Sequence, residues 1–262
     1  MKVDIIELGE RKAKFVITGV TPAFANGLRR AMVSDVPKMA VDYVDIYDHT
    51  SVLFDEMLAL RLGLIPLKTN LDQYVLKEEC ECKGEGCALC QVSFTLSAEG
   101  PCMVHSGDMK SSDPETVPAD DNIPIVELKE GQKIVLTAVA RLGYGDEHAK
   151  FQPVCAAGYK NVPIISVSDR CDLCGTCVDA CPREIYSMEK NKLVVGDMYK
   201  CSLCKLCVEA CDTGAIDVST DNTSFIYTVE TDGSFTAKDM ILRAAQSIKD
   251  RSDKLGEFLE YF

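Results

Sequence analysis

Two runs of cysteine set the chemistry open to this chain. Cys171, Cys174, Cys177 and Cys181 are separated by two, two and three residues and followed by Pro182. Cys201, Cys204, Cys207 and Cys211 repeat that spacing thirty positions later, with Asp212 where the first run has proline. Three closely spaced thiolates can wrap one corner region of a [4Fe–4S] cube, while N–H groups of the tight loop point at its sulfurs. Two such runs indicate two [4Fe–4S] clusters. One or two zinc sites are the alternative, because thiolates also bind zinc.

A third set is separate. Cys80, Cys82, Cys87 and Cys90 sit around Gly84 and Gly86, which permit a tight knuckle. Four thiolates on short arms suggest tetrahedral zinc, against a disulfide pair or a bare reduced loop. Cys102 and Cys155 complete the fourteen cysteines and are expected to pack as small hydrophobes. In a secreted chain so many cysteines would indicate disulfides. The opening residues MKVDIIELGE, however, hold no basic stretch leading into an apolar one. No apolar run approaches the ~18 residues of a membrane span. The expectation is a cytoplasmic chain with no membrane partner, reduced thiols and bound metal.

The spacing of the two long runs is that of bacterial ferredoxins, in which the fourth cysteine of each run ligates the other cluster. That resemblance implies one cluster on Cys171, Cys174, Cys177 and Cys211. It implies a second on Cys201, Cys204, Cys207 and Cys181. The thirty-residue offset is an internal repeat, each half with a short apolar strand nearby: Ile185-Tyr186 with Leu193–Val195, and Ala215–Val218.

The net charge of −13, from 28 basic and 41 acidic residues, disfavours clamping of nucleic acid by this chain alone. No phosphate-binding glycine loop follows a strand, and no metal-binding aspartate triplet occurs. His49, His105 and His148 lack a nucleophile close by in sequence. No catalytic residue is expected in this chain.

The elements that must position the cysteines follow from hydrophobic period and caps. Val3, Ile5, Ile6, Phe15, Val16 and Ile17 mark a strand pair turning near Gly9-Glu10. Thr21-Pro22 starts a helix with Phe24, Leu28, Ala31 and Met32 on one face, and Pro37 ends it. Residues 39–47 read as a strand. A second helix is expected from Phe54 to Gly63, with Met57, Leu58, Leu60 and Leu64 apolar. Strands are expected at 91–97 and 132–140, with a loop rich in Ser, Asp and Pro at 106–124. Residues 166–222 change composition abruptly and read as an inserted module. Ser224–Glu230 is a strand. A last helix starts at Thr236, paired with Asp239 as a cap. Along it Ile241, Ala245, Ile248, Ser252, Leu255, Leu259 and Phe262 recur every four and three residues, a heptad seam. Such a seam packs on the chain's own sheet or on a partner helix.

Two stretches carry a family resemblance. Phe24-Ala25-Asn26-Gly27-Leu28-Arg29-Arg30-Ala31-Met32, with Val36-Pro37-Lys38-Met39-Ala40, resembles the opening helix of the alpha-like subunits of multisubunit RNA polymerases. The stretch from Asp55 to Leu67 is similar to its counterpart in the larger alpha-like subunit, as is His148 to Val154. With the cysteine-rich insert, nearly the whole chain resembles the D subunits of archaeal RNA polymerases. The resemblance implies an α+β fold in three parts: a discontinuous dimerisation domain at 1–45 plus 224–262, an inserted, mainly β domain with the knuckle at 46–165, and a ferredoxin-like two-cluster domain at 166–222. It implies pairing with a smaller, L-like subunit through helices of the dimerisation domain, and the helix face and seam read above put Phe24, Leu28, Met32, Ile241, Ala245, Ile248, Leu255 and Leu259 in that interface. The pair would form the platform for the large catalytic subunits, with no sequence-specific DNA contact of its own. A ferredoxin-type electron carrier or oxidoreductase subunit is the competing reading, which the clusters fit and the helix motifs do not.

Overall fold

The computed structural model describes residues 1–190 and 192–260. The chain opens with β1 (Lys2–Leu8), β2 (Lys12–Thr18), α1 (Pro22–Ser34), β3 (Lys38–His49) and α2 (Asp55–Gly63). There follow β4 (Gln91–Glu99), β5 (Cys102–His105), β6 (Lys110–Ser111), β7 (Pro124–Leu128), β8 (Lys133–Gly143) and β9 (Val154–Val167). The cysteine module holds α3 (Thr176–Ala180), β10 (Tyr186–Glu189), β11 (Lys192–Val195) and α4 (Leu206–Glu209). The last elements are β12 (Ile216–Thr231) and α5 (Ala237–Leu259).

Contacts gather these elements into two compact units. The first comprises Met1–Glu7, Lys14–Asn26 and Gly158–Thr228, and so joins the cysteine module to a sheet. The strand order of that sheet is β1-β2-β12-β9. Its interior is aromatic. Phe15 stacks on Tyr227 with ring centroids 5.0 Å apart, and Tyr159 meets Phe225 edge-on at 5.5 Å. The buried Tyr227 hydroxyl donates to the Ala25 carbonyl at 2.7 Å, satisfying a polar group that burial would otherwise penalise. The expected hairpin turn is present, with Gly9 N–H donating to the Lys12 carbonyl at 2.8 Å.

The second unit comprises Leu8–Ala13, Gly27–Ala157 and Val229–Phe262. A four-stranded sheet of order β3-β8-β4-β6 forms its floor. Register is antiparallel, with Val41 opposite Ala140 and Phe94 opposite Ala138. Phe94, Leu96, Leu136 and Ala138 build one apolar core with Leu58 and Leu62 of α2. The apolar residues expected on α2 do not share one fate. Leu58 and Leu62, one turn apart, are the buried pair, whereas Met57, Leu60 and Leu64 are exposed. A 3.6-residue period cannot send both stripes to one side.

The caps read from sequence are made. Phe24 N–H donates to Thr21 Oγ1 at 3.2 Å, and Asp239 N–H donates to Thr236 Oγ1 at 3.1 Å. Cys102 and Cys155 are both exposed, which corrects the expectation that they pack as small hydrophobes.

Candidate metal centres

The knuckle is compact. The four Sγ atoms of Cys80, Cys82, Cys87 and Cys90 all lie within 4.8 Å of one another. Three separations are 3.5 Å for Cys80–Cys87, 3.6 Å for Cys82–Cys90 and 3.9 Å for Cys87–Cys90. Zn–S bonds of ~2.3 Å in a regular tetrahedron give sulfur–sulfur edges of about 3.8 Å. The donor set therefore fits one tetrahedral ion. Gly84 and Gly86 take φ of 85° and 95°, and a side chain at 86 would strike Gln91. Their N–H groups turn inward. Hydrogen bonding from the Gly86 backbone, then from Cys80, lowers the Cys82 thiol to about 6. The Cys82 backbone lowers the Cys80 thiol, but its bond to the Cys82 sulfur and burial outweigh this and raise it to about 12. Lowering the Cys82 thiol favours the thiolate form that a metal ion takes as its ligand.

The two long runs fold as copies. Leu173 and Leu203 take φ of 63° and 59°, and Gly175 and Lys205 take 82° and 62°. Val178 N–H donates to the Gly175 carbonyl, and Val208 N–H to the Lys205 carbonyl, both at 2.9 Å. Left-handed leucine and lysine are strained, and such residues persist where surroundings hold them, as in ligand clamps. Successive right- and left-handed residues aim backbone N–H groups into a concavity, the nest common at iron–sulfur sites.

Side chains of the two runs meet in one core. Cys177, Cys201 and Cys207 are buried with Ile185, Tyr186 and Ile216, and Cys181 and Cys211 pack against them. Burial raises the Cys177 thiol, and Cys171, Cys174 and Cys211 act on it as neighbouring negative charges. Cys201, Cys204 and Cys207 share a small cavity with Cys181. A cube binds each thiolate to a different iron, so its four ligands stand farther apart than those of a single ion. The donor chemistry, N–H loops and apolar walls fit that group. Cys174 and Cys204 are exposed.

Two residues of this region went unnoticed as functional in the sequence. The Tyr186 hydroxyl donates to Cys207 Sγ at 3.2 Å, and burial, then that bond, raises its pKa so that it stays protonated. Lys160 Nζ donates to the carbonyls of Tyr199 at 2.8 Å and Cys201 at 2.5 Å. In the sequence Tyr186 reads only as a strand residue, and nothing there ties Lys160 to a loop forty positions away.

The expected partner face divides. Leu28 and Met32 are 4% and 0% exposed, buried in this chain itself, so they present nothing to a partner. Phe24 is partly exposed. On α5 the chain's own core takes Ala237, Met240 and Ala244, a stripe the heptad reading passed over. Ile241 and Ile248 are half-buried and Ala245 is exposed. Leu255 and Leu259 stand 60% and 62% exposed. Phe262 lies outside the described residues.

His49 departs from expectation as well. Its Nδ1 lies 2.6 Å from Asp55 Oδ1 and its Nε2 2.5 Å from Ser51 Oγ, so a hydroxyl does neighbour it. The imidazole is only 4% exposed. A ring closed to solvent cannot meet a substrate, and the trio joins the end of β3 to the first turn of α2. Among the described residues no helix is long and apolar enough to cross a membrane.

Comparison with known proteins accords with this architecture. The chain is 53% identical to DNA-directed RNA polymerase subunit Rpo3 of Methanosarcina acetivorans, over 99% of this chain and 98% of that protein. It is 46% identical to the protein of the same name from Archaeoglobus fulgidus, over 99% and 98%. At 44% identity the Methanothermobacter thermautotrophicus protein covers 99% of each. Residues 14–252 match the family described as the RNA polymerase Rpb3/Rpb11 dimerisation domain. A chain matched over that span, with relatives aligned end to end, belongs to the RNA polymerase Rpb3/Rpb11 dimerisation-domain family.

Proposed function

We propose that this chain is a non-catalytic assembly subunit of DNA-directed RNA polymerase. Its end-to-end similarity to Rpo3 subunits carries the reading. The open heptad positions Leu255 and Leu259 on α5 supply a surface for a partner helix. That partner is a smaller, L-like subunit of the same family. The pair is the platform on which the large subunits, which hold the active site, assemble. The test is purification of the tagged chain from its own cells. Stoichiometric recovery of the other polymerase subunits is expected, and recovery with redox enzymes alone overturns the reading.

The same chain carries two [4Fe–4S] clusters and one zinc ion. One cluster takes Cys171, Cys174, Cys177 and Cys211, and the other Cys201, Cys204, Cys207 and Cys181. The cavity shared by Cys181 with the second run supports the crossed assignment. When bound, the clusters supply one-electron chemistry and hold together a module with little core of its own. Zinc belongs to Cys80, Cys82, Cys87 and Cys90, whose sulfur separations support a single tetrahedral ion. Exposure of Cys174 and Cys204 favours a second role, electron exchange with a redox partner at the module's surface.

A further inference from the structure

The two cysteine runs are copies in backbone but not in what surrounds them. Tyr186 precedes Ile216 by thirty positions, so the two hold matching places in the repeat. Both are 4% exposed and both belong to the one apolar core of the module. Only one of them has a donor. The Tyr186 hydroxyl donates to Cys207 Sγ in a buried bond, and Ile216 has nothing to donate.

We infer that Tyr186 selectively raises the reduction potential of the cluster held by Cys201, Cys204, Cys207 and Cys181. The inference rests on the cluster reading above and makes the two clusters unequal as electron acceptors. Each cluster gains one electron, from [4Fe–4S]2+ to [4Fe–4S]+, with no bond broken and no proton taken up. Part of the added negative charge falls on the ligating sulfurs. A hydrogen bond to such a sulfur favours the reduced form and raises the potential. The bond is strongest where water is excluded.

Other influences fall on both sets. Backbone N–H groups reach Cys201 Sγ from Leu203 at 3.4 Å and Cys211 Sγ from Ala215 at 3.3 Å. A cation sits on a loop carbonyl in each half, Lys160 on Cys201 and Arg170 on Gly214. Hydroxyls also approach both sets: Thr176 reaches Cys174 at 3.4 Å and Thr213 reaches Cys211 at 3.5 Å in the first, and Ser202 bonds Cys204 in the second. Cys174 is exposed, so water competes for its partner. Among the described residues, the Tyr186 phenol donates to a cluster sulfur in a buried bond, whereas the threonine contacts are exposed or part-buried. Tyr186 is thus a positioning residue that acts through Cys207.

The test is a redox titration of the full chain with its clusters, using dithionite as the one-electron reductant and electron paramagnetic resonance as the readout. For Tyr186→Phe the iron content stays unchanged and one reduction wave moves to lower potential while the other stays. A tenfold change in that cluster's oxidised-to-reduced ratio corresponds to about 59 mV for a one-electron couple. A fluorinated tyrosine at position 186, a stronger donor of nearly the same shape, moves the same wave upward. A folding defect cannot produce both signs. Waves unmoved by either change, or moved equally, overturn the inference. A chain that takes up no iron under strict oxygen exclusion overturns the cluster reading and this inference with it, and the iron assay tells the two failures apart.

Discussion

Lys38 Nζ and Asp232 Oδ2 lie 2.6 Å apart, although 194 positions separate them in sequence. Their side chains are 5% and 13% exposed. Lys38 opens β3 and also donates to the Gln152 carbonyl at 3.2 Å. Asp232 follows β12 and accepts from Ser234 N–H at 2.9 Å and Ser234 Oγ at 2.5 Å. The pair fastens the segment leading into α5 to the first strand of the second unit's sheet. Removing one partner strands a charge in the interior, which costs roughly 3–5 kcal/mol. Lys38→Met should therefore lower the denaturation midpoint sharply. Adding Asp232→Leu should recover part of the loss, because no uncompensated carboxylate remains. Urea titration of the three proteins checks both, and a double variant less stable than Lys38→Met contradicts the account.

No local pattern joins two residues so far apart in the chain. Local signals were legible. The Thr21 and Thr236 caps, the turn at Gly9 and the strands at 39–47 and 91–97 stand where composition and period placed them. The thirty-residue copy of the cysteine loops was visible because the cysteine spacing itself repeats. What stayed hidden is set by tertiary partners. Leu28 and Met32 share a helical face with Phe24, and period alone cannot say that the chain buries two of them itself. On α5, Met240 and Ala244 form one stripe and Leu255 and Leu259 another, and only packing assigns the first to the core.

The two stripes give opposite outcomes. Leu255→Asp together with Leu259→Asp alters side chains already in water, so the chain's own stability should change little. Pairing with the L-like subunit should be lost, since the variant places charge in a buried seam. Met240→Ala instead opens a cavity in the chain's core and should cost about 2–5 kcal/mol of folding stability. Thermal denaturation and sedimentation of the mixed subunits separate the two effects. Pairing undisturbed by the Leu255 and Leu259 changes would remove α5 from the interface.

Metal release distinguishes the knuckle from the other cysteines. One zinc per chain is expected beside the iron, freed by a thiol-reactive mercurial and read with a colorimetric chelator. Cys90→Ser removes a buried donor that lies 3.6 Å from Cys82 Sγ, and should abolish that zinc without changing iron content. Cys102→Ser, at an exposed thiol outside all three sets, should change neither. Zinc retained in full by Cys90→Ser would mean that the four sulfurs do not act as one site.

Asp42 supplies a dependence on pH. Burial pushes its carboxyl up, but hydrogen bonds from Lys150 and Arg141 outweigh that and hold it below the usual value. Arg141 Nε and Lys150 Nζ each lie 2.9 Å from it. A carboxyl whose folded value is lowered adds stability that is present above the unfolded value, about 3.9, and lost as pH falls through the folded one. Asp42→Asn should thus be less stable than the unaltered chain at pH 7, and the gap should close below about pH 4. A gap that stays constant from pH 7 to pH 3 would assign Asp42 a packing role instead.

Cluster loss should be felt locally. The cysteine loops belong to the first compact unit, whereas Leu255 and Leu259 of α5 belong to the second. Two strands, β9 and β12, run without a break from the first unit's sheet to the edges of the module. Ligand binding energy is folding energy for a module with so few buried side chains of its own. Replacing Cys171, Cys174 and Cys177 with serine should therefore expose amides from about 168 to 215 to hydrogen exchange, in keeping with local opening of a low-stability unit. Amides of β12 near Phe225 and Tyr227, packed in the aromatic interior, should stay protected. Binding of the L-like subunit should survive, while recruitment of the large subunits weakens if they touch the module. Loss of partner binding as large as the loss of recruitment would mean that β9 and β12 carry the damage into the rest of the chain. If neither changed, assembly would not depend on the clusters, and the exposed edges at Cys174 and Cys204 would point to electron exchange as their use.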